Sequence, residues 1–223
     1  MALKALLSIF LFVLPWQIRR LILTRFFGYQ IHPTARIGLS LVLPERLEMG
    51  AGSWIGNLTL CKGLSMLQMG EMSSIGNLNQ ITGFPARDTS YFSADRDRRP
   101  ELILGSHSAV TERHLIDCTN SVRIGQFSTV AGSRSQILTH NLDLYECRQK
   151  SKPVVIGDYC FVGTGSILLS GSALPDYSVL GAGSLLNKEY RESYLLYAGS
   201  PAKPIKQLPK DTGYFQRKTG AVH

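Results

Sequence analysis

Residues 156–186 read IGDYCFVGTGSILLSGSALPDYSVLGAGSLL, and an aliphatic side chain falls on every sixth position. An amphipathic helix repeats every three to four residues and a half-buried strand every two, so a period of six fits neither element. The period predicts a coil that turns a corner once per six residues and points each aliphatic side chain at a central axis. A small residue, suited to the crowded corner, follows four places after each of the first five aliphatics. The aliphatic residues are Ile156, Val162, Leu168, Leu174, Leu180 and Leu186, and the small ones are Cys160, Ser166, Ser172, Ser178 and Ser184.

Glycine directly follows three of these aliphatic residues, at Gly157, Gly163 and Gly181. Glycine carries the smallest steric penalty of any residue in a tight turn. We therefore expect the chain to turn sharply at these three positions.

The repeat extends towards the amino terminus. LEMGAGSWIGNL from Leu47 and LQMGEMSSIGNL from Leu67 are two copies offset by twenty residues, which is one three-sided coil with a small insertion. Ile31 and Ile37 begin the pattern, and fainter copies follow at 102–110 and in VRIGQFSTVAG. Internal repetition of this kind predicts a solenoid in which each coil packs on its neighbours.

The pattern divides the chain into three parts. Residues 1–30 are predicted to form an amphipathic helical segment, 31–188 the solenoid domain, and 189–223 a carboxy-terminal strand and tail. Two stretches lack the period, 86–100 and 141–153, and are predicted to be loops that project from the solenoid. Such loops usually carry recognition. A disordered surface excursion is the alternative for the first of them.

The amino-terminal segment is apolar but short. Residues 5–16 are almost wholly apolar, whereas a helix that spans a bilayer needs about 20 residues. A secretory signal is disfavoured because no A-x-A-like cleavage site follows. Ile18, Leu21, Ile22 and Phe26 recur at helical spacing between arginines, which predicts an interfacial helix on an anionic membrane surface. A helix that caps the open end of the solenoid is the alternative.

The chain carries a formal net charge of +8, concentrated in two basic clusters. The amino-terminal cluster suits an anionic membrane and the carboxy-terminal cluster suits a phosphorylated ligand. The amino-terminal cluster consists of Lys4, Arg19, Arg20 and Arg25, and the carboxy-terminal cluster of Lys203, Lys206, Lys210, Arg217 and Lys218. Nucleic acid is not expected as a partner, because aromatic and basic residues do not interleave and no binding motif occurs.

The cysteines show no CxxC spacing, and one occupies an internal small-residue position of the repeat. We expect buried free thiols in a reducing cytoplasm, with disulfides as the alternative. The four residues are Cys61, Cys118, Cys147 and Cys160.

One of the five histidines, His140, lies where the repeat gives way to the second projecting loop. A partly exposed histidine at such a place can act as a general base near neutral pH. The surrounding THNLD resembles the THPLD-type segment of maltose and galactoside O-acetyltransferases, and the likeness continues in register through KPVVIGDYCFVGTGS, GAGSLLNK and AGSPAKPIK, over residues 136–206. This resemblance to hexapeptide-repeat acyltransferases implies an all-β fold, a left-handed parallel β-helix, with His140 as the catalytic base.

The resemblance also implies acetyl-CoA as cosubstrate, lying along the outside of the helix. Thr164 and Ala182 are one coil of eighteen residues apart, so they should stack on one face beside Gly163, where small residues allow close approach. Backbone N–H groups near the Gly163 turn are expected to stabilise the oxyanion. The other cofactor positions that the resemblance implies are Asn187, Lys188, Lys203 and Lys206, the last two near the phosphates. No metal is expected.

Acceptor contacts are predicted on both sides of the base. HLIDCTNS resembles the sugar-binding segment of O-acetyltransferases, which implies that Asp117 binds the acceptor. His114 and Asn141 are further predicted contacts, although His114 could instead fill an irregular coil. A carboxylate that helps to position the histidine in that family falls near Gln149 here, with Glu146 as a candidate substitute.

These features together predict an acetyl-CoA-dependent O-acetyltransferase that modifies a sugar hydroxyl in bacterial exopolysaccharide, capsule or O-antigen synthesis. The family implies a homotrimer with active sites between subunits. The amino-terminal helix predicts a cytoplasmic enzyme that is peripheral on the inner face of the cell membrane. Alternatives are a lipid or serine acceptor, a γ-type carbonic anhydrase with zinc-binding histidines, or a non-catalytic β-helix scaffold.

Overall fold

The chain forms a solenoid of seven coils with three sheets as its sides, in a computed structural model that describes residues 10–88, 90–93 and 95–220. The first side is β1 (Gln30–Ile31), β4 (Arg46–Met49), β7 (Met66–Met69), β10 (Glu101–Leu104), β13 (Val122–Ile124), β18 (Val154–Ile156) and β21 (Ala173–Leu174). The second is β2 (Arg36–Ile37), β5 (Trp54–Ile55), β8 (Ser74–Ile75), β11 (Ala109–Glu112), β14 (Thr129–Ser133), β19 (Phe161–Val162), β22 (Val179–Leu180), β24 (Leu195–Gly199) and β25 (Ala202–Gln207). The third is β3 (Leu41–Leu43), β6 (Leu60–Lys62), β9 (Gln80–Thr82), β12 (Leu115–Asp117), β15 (Gln136–Leu138), β20 (Ile167–Leu168) and β23 (Leu185–Leu186).

A hairpin and three helical segments lie outside the regular coils. A hairpin is formed by the antiparallel strands β16 (His140–Asp143) and β17 (Arg148–Ser151). The helices are a 3-10 turn (Leu11–Val13), α1 (Trp16–Phe26) and α2 (Gly213–Gln216). The second predicted projecting loop is thus an ordered hairpin inserted between the third and first sides.

The six-residue period is confirmed as the period of the core. All six aliphatic residues from Ile156 to Leu186 have 1% or less of their surface exposed, as do the five small residues between them. Full burial of one such aliphatic side chain stabilises a fold by roughly 1.5–3 kcal/mol. The strand register also matches the predicted offsets, since Leu47 pairs with Leu67 and Phe161 pairs with Val179.

The repeat glycines have a different role from the one predicted. The corner residues with positive φ include Tyr159, Gly165 and Tyr177, at 54°, 68° and 56°. Gly157 and Gly163 are not among the residues with positive φ. A Cβ on Gly163 would lie 2.5 Å from the backbone nitrogen of Ala182 in the next coil. Close approach between coils therefore requires glycine there.

Helix α1 packs on the first coil as a cap. Trp16 Nε1 donates to the Ala35 carbonyl over 3.0 Å, and the buried Arg19 donates to the Gly38 carbonyl over 2.9 Å. The sequence predicted that Arg19 would face a lipid surface. The structure instead buries its side chain against the first coil. Leu21 and Phe26 are 63% and 77% exposed, so attachment to a membrane stays a prediction. Residues 1–9, with Lys4, lie outside the described part of the chain.

Among the described residues, no helix has the length and apolar character needed to cross a membrane. All four cysteines are free, and Cys61, Cys118 and Cys160 are buried as predicted, whereas Cys147 is exposed.

The carboxy-terminal tail runs along a column of stacked rings at the corner between the first and second sides. Neighbouring rings in the column are 4.7–5.1 Å apart, centroid to centroid. The rings belong to His107, Phe127, Tyr159, Tyr177 and Tyr194. Phe215 of α2 packs edge-on against Tyr177 and Tyr194, and Arg217 donates to the Phe127 carbonyl. Residues 213–220 thus lie at a different corner from Thr164 and Ala182.

Candidate active site

A histidine and an aspartate meet where the hairpin leaves the third side of the solenoid. Asp117 ends β12 and pairs with Leu138 of β15, two residues before His140. The imidazole Nδ1 lies 2.7 Å from Asp117 Oδ2. Parallel pairing of adjacent coils therefore brings together two residues that are 23 positions apart in the sequence.

The contact fixes the tautomer of His140. A carboxylate only accepts hydrogen bonds, so Nδ1 carries the proton and Nε2 keeps its lone pair. The hydrogen bond with Asp117 raises the pKa of His140 by more than burial lowers it. Burial raises the pKa of Asp117, but hydrogen bonds from His140, Thr119 and Thr139 outweigh it and the net shift is downward. The pair therefore consists of an ionised carboxylate and a histidine with increased basicity, the arrangement expected of a general base.

Asp117 is fully engaged within the protein. Its Oδ1 accepts from the Thr119 hydroxyl over 2.6 Å and from the Thr119 N–H over 3.1 Å. Its Oδ2 accepts from the Thr139 N–H and hydroxyl over 2.9 and 2.8 Å, as well as from His140. The structure places Asp117 as the hydrogen-bond partner of His140, a role that the sequence analysis did not give it, and contact of Asp117 with the acceptor stays a prediction. The sequence predicted Glu146 as the candidate carboxylate that positions His140. Glu146 instead forms ion pairs with Arg148 and Lys150.

The two insertions converge on His140. The rings of Phe84 and Phe92 each lie 6.0 Å from the imidazole, both edge-on, and Phe92 is 1% exposed. From the same insertion, Asp95 Oδ2 accepts from the backbone N–H of Ser151 over 2.7 Å. Ser151 is the partner of His140 in the hairpin. The described residues of the stretch 86–100 are thus packed against the site, unlike the disordered excursion considered from the sequence.

Arg98 ties this insertion to the solenoid. Its guanidinium is buried and donates to the carbonyls of Phe84, Pro85, Asp88 and Thr119. Burial lowers the pKa of Arg98, although Asp88 and Asp95 oppose that change. One cation therefore satisfies four carbonyl groups, and it also lies 4.7 Å from the ring centre of Phe92, which contacts the histidine.

Replacing Arg98 by methionine is expected to open the insertion. Each hydrogen bond to a charged group contributes about 1.5–3 kcal/mol, so the open population should rise at least about 10-fold. Tryptic cleavage at Arg87 and Arg96, followed by mass spectrometry, measures this change. Arg99→Met removes an exposed arginine of the same loop and should cleave at the wild-type rate. Equal cleavage of the two variants would show that Arg98 does not hold the loop.

A groove of about 510 Å³ runs from His140 along the outer face of the third side. Its lining combines the histidine and aspartate with uncharged side chains and one lysine. The residues are Lys62, Gln80, Thr82, Gly83, Phe84, Leu115, Asp117, Leu138 and His140. The His140 side chain is 33% exposed, so a ligand hydroxyl in this groove can reach it.

The other predicted acceptor contacts lie elsewhere. His114 is 2% exposed, accepts at Nδ1 from the Ser135 N–H over 3.1 Å, and has Nε2 2.9 Å from the Thr111 hydroxyl. Burial lowers its pKa to about 4. The prediction that His114 contacts the acceptor is therefore wrong, and it fills an irregular coil. Asn141 is exposed on β16, opposite Lys150, and stays a prediction.

The predicted cofactor residues divide into two groups. Thr164 and Ala182 stack at the corner between the second and third sides, and Lys203 lies near it on β25, opposite Ala198. Lys206 is exposed on the same strand. Asn187 and Lys188 follow β23, at the corner between the third and first sides that also carries His140. The five residue steps from 135 to 140 separate the two corners by about 17 Å at 3.3 Å per residue.

Two backbone N–H groups at the Gly163 corner are engaged in hydrogen bonds between coils. The N–H of Gly163 donates to the Leu180 carbonyl over 2.8 Å, and that of Gly165 to Ser133 over 3.0 Å. The Thr164 hydroxyl is also engaged, because it donates to the Ser133 carbonyl over 2.8 Å. These groups hold adjacent coils together, and an oxyanion hole formed by other backbone N–H groups of this turn stays a prediction. A ligand at this corner would contact the exposed small side chains of Thr164 and Ala182 on the outside of the turn.

Within residues 10–88, 90–93 and 95–220, no three His, Cys, Asp or Glu side chains are grouped so that they could hold a metal ion.

Comparison with known proteins identifies relatives over part of the chain. No family model matches it. A Schizosaccharomyces pombe protein, named provisionally as an acetyltransferase, is 35% identical over 77 residues, which are 33% of this chain and 36% of that protein. The chain spans less than half the length of the curated relatives it matches.

Solved structures match the fold over most of the chain. A hexapeptide-repeat acetyltransferase from Vibrio cholerae matches with a TM-score of 0.50 and 16% identity, over 93% of this chain and 90% of that one. The polysialic acid O-acetyltransferase OatWY matches with a TM-score of 0.53 and 17% identity, over 83% and 90% of the two chains. The chain therefore has the left-handed parallel β-helix fold of hexapeptide-repeat acetyltransferases, as its sequence predicted.

Proposed function

We propose that this chain is an O-acetyltransferase that moves an acetyl group from acetyl-CoA to a hydroxyl of a sugar. The observation that carries the proposal is the pair of His140 and Asp117 at the end of an open groove, with the imidazole Nε2 free of protein partners in the hydrogen bonds of the described residues. A neutral histidine oriented by a carboxylate suits removal of a proton from an alcohol.

The reaction follows from these positions. His140 Nε2 takes the proton of the acceptor hydroxyl as its oxygen attacks the thioester carbonyl carbon. The new C–O bond forms, the C–S bond breaks, and the imidazolium returns the proton to the leaving sulfur. Asp117 stabilises the positive charge on the imidazole between these two proton transfers, as in other triads and dyads of this kind.

The surface at Thr164 and Ala182 fits an extended donor molecule. The exposed, small outer side of this corner continues towards Lys203 and Lys206, whose ammonium groups suit phosphates. The distance between this corner and His140 in one chain supports an active site that lies between two copies. A homotrimer with three such sites is part of the proposal.

The comparisons agree with this chemistry. The curated relative carries an acetyltransferase name, and one structure with the same fold is a polysialic acid O-acetyltransferase. An acceptor in exopolysaccharide, capsule or O-antigen synthesis is the finer form of the proposal.

A release assay for free thiol tests the proposal. Purified protein is incubated with acetyl-CoA or longer acyl-CoAs and with a panel of nucleotide, free and lipid-linked sugars. We expect thiol release that depends on an acceptor sugar and is fastest with acetyl-CoA. No release with any acceptor, together with no thermal stabilisation by CoA, would support a binding scaffold instead.

The exposed face of α1 supports an acceptor carried on an anionic membrane. Leu21 and Phe26 present apolar surface, and the exposed Arg25 can face lipid phosphates. Leu21→Glu with Phe26→Glu should reduce cosedimentation with vesicles of acidic phospholipid by at least about 10-fold, since burial of each side chain contributes about 1.5–3 kcal/mol. Leu58→Glu changes an exposed leucine at a solenoid corner and should bind as wild type. Binding of the double variant at the wild-type level would exclude α1 as the contact.

A further inference from the structure

The outer face of the third side carries a lysine in line with Asp117. Lys62 ends β6 and pairs with Thr82, and Thr82 pairs with Asp117. Adjacent strands lie about 4.8 Å apart, so the Lys62 Cα is about 10 Å from that of Asp117. All three side chains face outward, because the residues before them, Cys61, Ile81 and Ile116, are in the core. Lys62 and His140 thus line one groove.

The charge of Lys62 is not neutralised by a neighbour. Its side chain is exposed, and no salt bridge or hydrogen bond of the described residues involves its ammonium group. The one acid in the groove, Asp117, has both oxygens occupied on the side of His140. In the adjoining cavity, beyond Gly63, Arg87 adds a second cation and Glu45 an acid.

We propose that Lys62 binds a negative charge on the acceptor and determines its specificity. The acceptor would carry a carboxylate or phosphate within reach of Lys62, whose Cα lies two strand spacings from that of Asp117. The charge lies on an acidic sugar or on a phosphate attached to the acceptor. The flexible stem of lysine lets its ammonium group follow either geometry. This inference rests on the proposed function of the same groove.

Paired acceptors that differ in one charge test the inference. The probes are a disaccharide that contains glucuronic acid and its neutral glucose counterpart, and a sugar phosphate and its free sugar. Thiol release gives kcat and KM, and titration of each probe gives a Kd without turnover. The variants are Lys62→Gln, Lys62→Arg and, as control, Arg36→Gln, which alters an exposed arginine on the second side of the solenoid.

Lys62→Gln is expected to raise the KM and Kd of an acidic probe about 10-fold, equal to about 1.4 kcal/mol. The kcat, the KM for acetyl-CoA and the binding of neutral probes should stay within two-fold, and Lys62→Arg and Arg36→Gln should resemble wild type. The probe that responds distinguishes a carboxylate from a phosphate. Equal changes for charged and neutral probes, or no preference of wild type for any charged probe, would overturn the inference. Charge-dependent binding without thiol release would instead retain Lys62 and reject the transferase proposal.

Discussion

His140→Ala is expected to lower kcat by about 10²–10⁴-fold, the usual contribution of a general base. Without the imidazole, the acceptor hydroxyl must lose its proton to water as it attacks. The KM of acetyl-CoA and the thermal shift produced by CoA should change little, because the predicted donor corner lies at the other edge of the third side. Initial rates of thiol release and thermal unfolding with CoA measure both quantities.

His32→Ala provides the matched control for this variant. His32 is exposed near the first coil, where it contacts Thr34, and its loss should leave kcat unchanged. A rate for His140→Ala within a few-fold of wild type would remove His140 from the reaction.

Asp117→Asn is expected to lower kcat by about 10²-fold or more, since it removes the charge that orients and stabilises the imidazolium. Asp117 acts through His140, so it is a positioning residue, and its test includes the pH profile. The hydrogen bond with Asp117 raises the pKa of His140. Wild-type activity should therefore fall as the pH drops through this raised pKa. In the variant, the pKa of His140 falls and the acidic limb of the profile moves to lower pH.

The same substitution separates positioning from folding. Asp117 also accepts hydrogen bonds from Thr119 and Thr139, so some loss of stability is expected. Because its pKa is lowered in the fold, the carboxylate stabilises the wild type above its ordinary pKa, and this contribution is lost as the pH falls. Asp143→Asn alters an aspartate of the hairpin that pairs with Lys150 and should leave the acidic limb in place. A limb that does not move in Asp117→Asn would assign that residue a structural role alone.

The coil and its aliphatic core could be predicted from residues 156–186, because a period of six fits neither a helix nor a half-buried strand, whereas the left-handed sense came from the family resemblance. His140 could be found because it lies where this period stops. Sequence reasoning did not identify Asp117 as the partner of His140, although the spacing of the coils brings the two together. Asp117 lies 21 positions before Leu138, which is the length of one coil with its insertion, and the two residues pair in adjacent strands. His140 follows Leu138 by two residues. The family pattern drew attention instead to residues near Gln149, which the hairpin carries away from the imidazole.

Residues outside the repeat could not be placed in this way. Phe84, Phe92 and Arg98 belong to an insertion whose path depends on four carbonyl contacts of one guanidinium, and no periodicity encodes such contacts. His114 was misassigned because its sequence neighbours resemble an acceptor segment, whereas its side chain turns into the coil and bonds to Ser135. Alternation along β12 decides which side chains reach the groove.

Transfer of a labelled acetyl group tests the central claim most directly. The protein is incubated with acetyl-CoA labelled in the acetyl group and with the acceptor that gives the fastest thiol release, and the products are identified by mass spectrometry. We predict one labelled acetyl ester on the acceptor for each thiol released by the wild type, and none above background with His140→Ala. Thiol release without a labelled ester, or equal ester formation by the variant, would contradict a sugar O-acetyltransferase with His140 as its base.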